Sequence, residues 1–124
     1  MLSSDIVIRR LALIKYLYGV GIEQSQKPEP LCVFSILTFH DAVELFLQLA
    51  ADYHNVKRQK AQISFMEHWK LLSPKIPKGG PTQQVAMERL NKARVGLKHY
   101  GILPSKFEIE SFRASATNFS IVRV

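Results

Sequence analysis

Three observations in this sequence predict an all-α fold, an up-and-down bundle of four to five helices around one long central helix. Apolar residues recur at helical spacing in five separate stretches. Glycine, proline or capping residues separate those stretches. Sustained apolar–polar alternation is absent, and residues 120–124 are the only β-leaning patch. The 124 residues suffice for one domain with a core, and 47% hydrophobic against 22% charged residues excludes a disordered chain. The expected organisation is therefore a single helical domain over residues 1–124. The chain stops at Val124 without a helix-ending signal, so a truncation at the C-terminus is part of that expectation.

The first helix is predicted over about residues 4–20. Ser3 and Ser4 are N-cap candidates and Asp5 suits the first turn. Val7, Leu11, Ile14 and Tyr18 form one apolar row, with Ile6, Leu13 and Leu17 beside it. Gly19 and Gly21 are expected to end the helix, and residues 21–30, with Pro28 and Pro30, read as a loop. Residues 31–54 hold no Gly or Pro and form the longest predicted element, roughly 36 Å at 1.5 Å per residue. Apolar residues cover most of its circumference, which makes it the central helix. In its middle, His40 and Glu44 are four apart and able to pair, with Asp41 alongside. These three make a small exposed strip, or Asp41 or Glu44 anchors a basic residue such as Arg94.

A third helix is predicted over about residues 56–72 from Ala61, Phe65, Trp69 and Leu72. Lys57, Arg58 and Lys60 would oppose its dipole, which marks either a frayed end or a polyanion contact. Residues 73–81 hold three prolines and two glycines and read as a linker. Pro81 suits the first position of a fourth helix that runs to about residue 100. Gly101 and Pro104 then stop it. Ser105-Lys106-Phe107-Glu108 is a capping box for a fifth helix, which carries Ile109, Phe112, Ala116 and Phe119.

A formal net charge of +7 favours an anionic partner, whether RNA, DNA, a nucleotide or an acidic protein. Cys32 is the only cysteine and sits in an apolar run, so it reads as a buried small hydrophobe and excludes an internal disulfide. Four scattered His form no ligand cluster, and no Gly-rich phosphate or dinucleotide loop is present, so neither a metal nor a cofactor is expected. Asp5, Arg9, Arg10 and Lys15 interrupt the N-terminal apolar residues, and residues 31–53 carry His40, Asp41, Glu44, Gln48 and Asp52. Neither a signal peptide nor a membrane span is expected, and the protein reads as cytoplasmic with no membrane partner.

The candidate site lies at the basic end of the fourth helix. Asn91, Arg94 and Lys98 are three and four apart and share a polar face. Arg94 holds a permanent charge in a planar fork that matches phosphate oxygens, and His99 is of the residue type that serves as a general acid or base. On an ideal helix the two are about 140° apart and about 7.5 Å along the axis. Joint action therefore calls for local bending, for which Gly96 is the natural place, or for a cleft approached by both side chains.

Arg94-x4-His99 within Leu90-Asn91-x-x-Arg94-x-x-x-Lys98-His99-x-Gly101-x-x-Pro104 resembles the HEPN superfamily (higher eukaryotes and prokaryotes nucleotide-binding). The close resemblance covers about residues 88–113. It implies an all-helical, dimeric, metal-independent endoribonuclease or RNA-binding domain, set in a prokaryotic toxin or phage-defence system with an antitoxin or another protein partner. Arg94 would hold the scissile phosphate and His99 would move the proton. Asn91 and Lys98 would support them, with Glu88 in the place where some members carry an acid; Glu44, or Asp41, enters as the anchor for Arg94 read from the second helix above. Many catalytic members have a polar residue after the arginine; here it is Val95. That departure favours the alternative reading, a non-catalytic helical dimerisation or interaction module.

Overall fold

The computed structural model describes residues 2–57, 63–76 and 83–119. The described residues form an all-helical bundle of five α-helices: α1 (Ser4–Ser25), α2 (Phe34–Tyr53), α3 (Glu67–Leu72), α4 (Gln84–Tyr100) and α5 (Lys106–Asn118). A 3-10 turn, Leu31–Val33, leads into α2. Among the described residues there is no strand; the β-leaning residues 120–124 lie outside them.

The expected central helix is α2, although α1 is slightly longer. Every other helix packs on α2, α1 most extensively. Val33, Ile36, His40, Val43 and Leu47 recur at alternating three- and four-residue steps and are all buried. Phe39, Ala42, Leu49 and Ala51 are buried as well, so apolar surface leaves water around most of the helix. By length and composition, Leu31–Tyr53 is long and apolar enough to cross a membrane.

The first helix is longer than its glycines suggest. It passes through Gly19 and Gly21 and ends at Ser25. Gly21 is buried, and a Cβ there would stand 2.7 Å from the ring of Phe39. This glycine is a contact point between α1 and α2, not a stop. The real end is secured from across the bundle. Lys106 Nζ donates to the carbonyls of Ser25 (2.8 Å) and Lys27 (3.0 Å), and Arg113 Nη1 donates to Ser25 Oγ (3.4 Å). The last turn of α1 has no basic residue of its own, so α5 supplies the cations that its carbonyl end attracts. Arg10–Asp52 (2.9 Å) and a hydrogen bond between the hydroxyls of Tyr18 and Thr117 add polar ties to α2 and α5.

The third helix is much shorter than expected. Asn55 adopts a left-handed conformation (φ 54°), Asn55 N–H donates to Asp52 C=O (3.2 Å), and Val56 N–H donates to Ala51 C=O (2.9 Å). This pattern closes the end of α2 and turns the chain away. Among the described residues helix resumes at Glu67, where Ser64 N–H donates to Glu67 Oε1 (2.8 Å) and Glu67 N–H to Ser64 Oγ (3.4 Å). Ser64 and Glu67 thus make the reciprocal bonds of a capping box across the turn that leads into α3. Lys57 is exposed and non-helical, so it is not in a helix's first turn; Arg58, Lys60 and Ala61 lie outside the described residues. The fourth helix begins at Gln84, after a left-handed Gln83 (φ 62°), and the expected start at Pro81 lies outside the described residues. The fifth helix starts where its capping box predicts, with Glu108 N–H donating to Ser105 Oγ (3.2 Å) and Ser105 N–H to Glu108 Oε1 (3.1 Å).

The two glycines of α1 should respond to alanine in opposite directions. Gly21→Ala drives a methyl into the buried Phe39 ring and should lower unfolding free energy by about 1–3 kcal/mol. Gly19→Ala, where nothing lies within 4 Å, should raise it by about 0.5–1 kcal/mol through lower chain entropy. Urea unfolding of the two variants checks both signs.

Candidate functional site at the α2–α4 face

Five expected site residues, Glu88, Asn91, Arg94, Lys98 and His99, lie on α4, and the last four divide between two directions. Asn91 and Arg94 are half-buried; Lys98 and His99 are exposed. The inward side meets α2 at His40, which is 2% exposed. His40 Nε2–H donates to the Asn91 side-chain oxygen at 2.8 Å, and the ring stacks on Phe65 with centroids 4.1 Å apart. Phe65, Trp69, Phe119 and Phe46 continue this contact as a run of aromatic rings, at 5.5, 5.8 and 5.6 Å between successive centroids.

His40 is neutral here for three physical reasons. Burial disfavours its charged form most strongly, and the charges of Arg94 and then Lys98 add to that, together lowering its pKa from 6.5 to about 4. The hydrogen bond to Asn91 works in the opposite direction but does not win. With Nε2–H donating, Nδ1 is left as a buried nitrogen without a hydrogen-bond partner.

Arg94 carries the other unsatisfied atom of this face. Its Nε is buried and has no hydrogen-bond partner. The expected anchor is not formed: the ion pairs within 4.0 Å among the described residues are Arg9–Asp5 and Arg10–Asp52, and neither Asp41 nor Glu44 pairs with Arg94. Glu44 is half-buried and Asp41 exposed, and one donor atom from each lies within 4.8 Å of a His40 ring nitrogen. Three ligand-type groups this close form a candidate cation cluster by distance alone, but the positive charge of Arg94 and Lys98 that reaches His40 opposes a cation there. Glu88 is exposed, with no ion pair to Arg94.

Arg94 and His99 are not brought together within one chain. The helix stays regular through Gly96 to Tyr100, so the expected loosening is absent and the ideal separation of about 140° stands. A Cβ at Gly96 would meet only Ile102, at 3.7 Å. Gly101 (φ 65°) then ends α4, its N–H donating to Leu97 C=O and that of Ile102 to Gly96 C=O, both at 3.1 Å. Arg94 turns toward α2, while His99 faces solvent.

His40 is the site residue that residue chemistry alone misplaces, since its pairing potential with Glu44 suggested an exposed strip. Its burial was nonetheless readable from register: it falls in phase with Val33, Ile36, Val43 and Leu47. His68 is similarly buried, with Nδ1 bonded to Phe65 C=O at 3.1 Å. No family model, curated protein or solved structure matches this chain.

The depressed His40 pKa sets a pH dependence of stability. Above pH 6.5 the imidazole is neutral in both folded and unfolded chains and contributes no slope. As pH falls from 6.5 toward about 4, the unfolded chain takes up the proton first and stability is lost, by roughly 3 kcal/mol across the window. His40→Gln keeps a donor for Asn91 but cannot titrate, so its unfolding free energy should vary less over that range. Parallel pH profiles of the two proteins would reject this account if they had equal slopes.

Proposed function

We propose that this chain is a HEPN-like RNA-binding domain that acts as a homodimer and cleaves RNA without a metal. The observation that carries the reading is Arg94, a half-buried guanidinium without a carboxylate partner on a basic helix. A charge left unneutralised at this depth is placed to receive a phosphate, which its planar fork fits. Arg89, Lys92, Lys98 and His99 are exposed on the same helix, whose only carboxylate is Glu88. The Arg94-x4-His99 pattern and its surrounding residues support the same reading.

The chemistry is transesterification by the RNA's own 2′-hydroxyl. A base removes the hydroxyl proton, the oxygen attacks the adjacent phosphorus, and an acid protonates the departing 5′ oxygen, leaving a 2′,3′-cyclic phosphate. Arg94 stabilises the charge that builds on the phosphoryl oxygens. Each chain supplies one His99, so two copies related by a twofold axis supply both proton-transfer groups. They also remove the angular problem, because one copy's Arg94 then works with the other's His99. Lys98 adds positive charge at the phosphate, and Asn91 holds the α4 register through His40. By resemblance the setting is a prokaryotic cytoplasm, in toxin or phage-defence biology, with an antitoxin as protein partner.

A second reading has its own observation. Tyr100, Ile102, Leu103 and Phe107 are 76%, 61%, 58% and 80% exposed around the α4–α5 turn. Apolar residues gathered this way also suit a non-catalytic interaction module.

Incubation with structured RNA in EDTA should give products ending in cyclic phosphate. His99→Ala should lower the rate about 10²–10⁴-fold and Arg94→Ala about 10²–10³-fold. Wild-type protein that leaves RNA intact, or a His99→Ala variant that cleaves equally, rejects catalysis. Dimerisation by light scattering, without RNA affinity that falls with salt, establishes the interaction module.

A further inference from the structure

On another side of α4 lies an open groove of about 460 Å³ between α4 and α5. Arg89, Lys92 and Ala93 form one wall; Phe107, Glu108, Ser111 and Phe112 form the other. Phe112 is buried and Ala93 half-buried, so the floor is apolar. Phe107 projects from the first turn of α5 with 80% of its surface exposed. Arg89 and Lys92 stand on the opposite rim, and no ion pair neutralises either of them among the described residues. Glu108 is the groove's single carboxylate, and one of its oxygens is already committed to the Ser105 N–H.

We propose that this groove binds an unpaired nucleotide of single-stranded RNA, with the base stacked on Phe107 and the phosphate held by Arg89 and Lys92. The proposal rests on the RNA reading above and adds the class of substrate. An exposed ring facing two free cations over an apolar floor matches the two halves of a nucleotide, a flat π-face and an anion. The volume lies within the usual range for small-ligand sites, about 300–1,000 Å³. A base inside a duplex has no free face to offer, so the groove selects against paired RNA. Its position suits the reaction. His99 is seven residues beyond Lys92, nearly two turns, so the two share a stripe of α4 about 10.5 Å apart. A strand anchored at Phe107 and running along that stripe brings its neighbouring phosphates toward His99.

Fluorescence anisotropy with a fluorescein-labelled single-stranded RNA, and with the same strand annealed into a duplex, tests this. Phe107→Ala should weaken single-strand binding about tenfold and leave duplex binding unchanged, and Phe107→Trp should retain wild-type affinity. Arg89→Ala with Lys92→Ala should reduce the slope of log affinity against log salt by about 1.4. Phe107 is exposed, so circular dichroism should show unchanged helicity. Wild-type affinity in Phe107→Ala overturns the groove alone and leaves RNA binding standing. An equal loss on duplex overturns the preference for unpaired bases. A Phe107→Ala protein that turns monomeric with unchanged RNA affinity overturns the proposal and assigns the ring to an interface between copies. Wild-type protein that binds no RNA at any salt overturns both readings.

Discussion

Burial of a broad face of α2 is the constraint on which the rest of the structure depends. A helix with apolar residues around its circumference must be covered by several neighbours, and 124 residues supply few. α1 covers the most, and it does so by coming close enough that Gly21 meets the Phe39 ring. That approach explains why α1 continues past two glycines. Burial against α2, with the cations of α5 on its final carbonyls, outweighs the roughly 0.5–1 kcal/mol that each glycine costs within a helix. The same demand reaches the candidate site. His40 sits in the buried register of α2 and must satisfy a polar ring there, so α4 answers it with Asn91. The buried Met87 and Leu90 fix which face of α4 turns inward, the hydrogen bond lies on that side, and the same rotation leaves Arg94 half-buried and His99 exposed.

Much of this was legible from residue order, in a pattern that physical chemistry explains. The all-helical class, the central helix, the stop at Gly101 and the capping box at Ser105 are all local signals, and all are present. The misjudged boundaries have two causes: tertiary contacts overrode a local signal at the end of α1, and local turn features overrode apolar spacing ahead of α3. Gly19 and Gly21 predicted an end that packing extended to Ser25. The apolar spacing of Phe65, Trp69 and Leu72 predicted a long third helix, yet these side chains serve the core from a short helix and its lead-in. There the reciprocal Ser64–Glu67 hydrogen bonds, which were not singled out from the sequence, mark the turn into the helix.

The candidate site was legible in its residues and not in its geometry. Arg94, His99, Asn91 and Lys98 could be selected from their chemistry and spacing. Asn91's partner comes from a residue 51 positions away, and no local pattern announces such a pair. The expected pairing of Arg94 with Glu44 or Asp41 illustrates the same limit. Helix periodicity places charges on faces, but whether two charges touch depends on side-chain reach across an interface, and here they do not meet. Gly96 is similar: a glycine in a helix permits bending but does not compel it, and this helix is regular.

The regularity of α4 has a consequence for the proposed chemistry that separates binding from cleavage. Binding asks only for positive charge on an accessible surface, and one chain provides it. Cleavage asks for Arg94 and His99 at one phosphate, and a regular helix keeps them about 140° apart. A second copy resolves the angle but introduces a cost, because it brings two helices of the same sign toward a shared axis. Repulsion between like charges at that axis falls when a polyanion lies between them. On the proposed reading, RNA is therefore both the substrate and the counter-charge that lets two copies close on it. Salt would act on both steps in opposite senses, weakening the protein–phosphate contact while screening the repulsion between the paired helices.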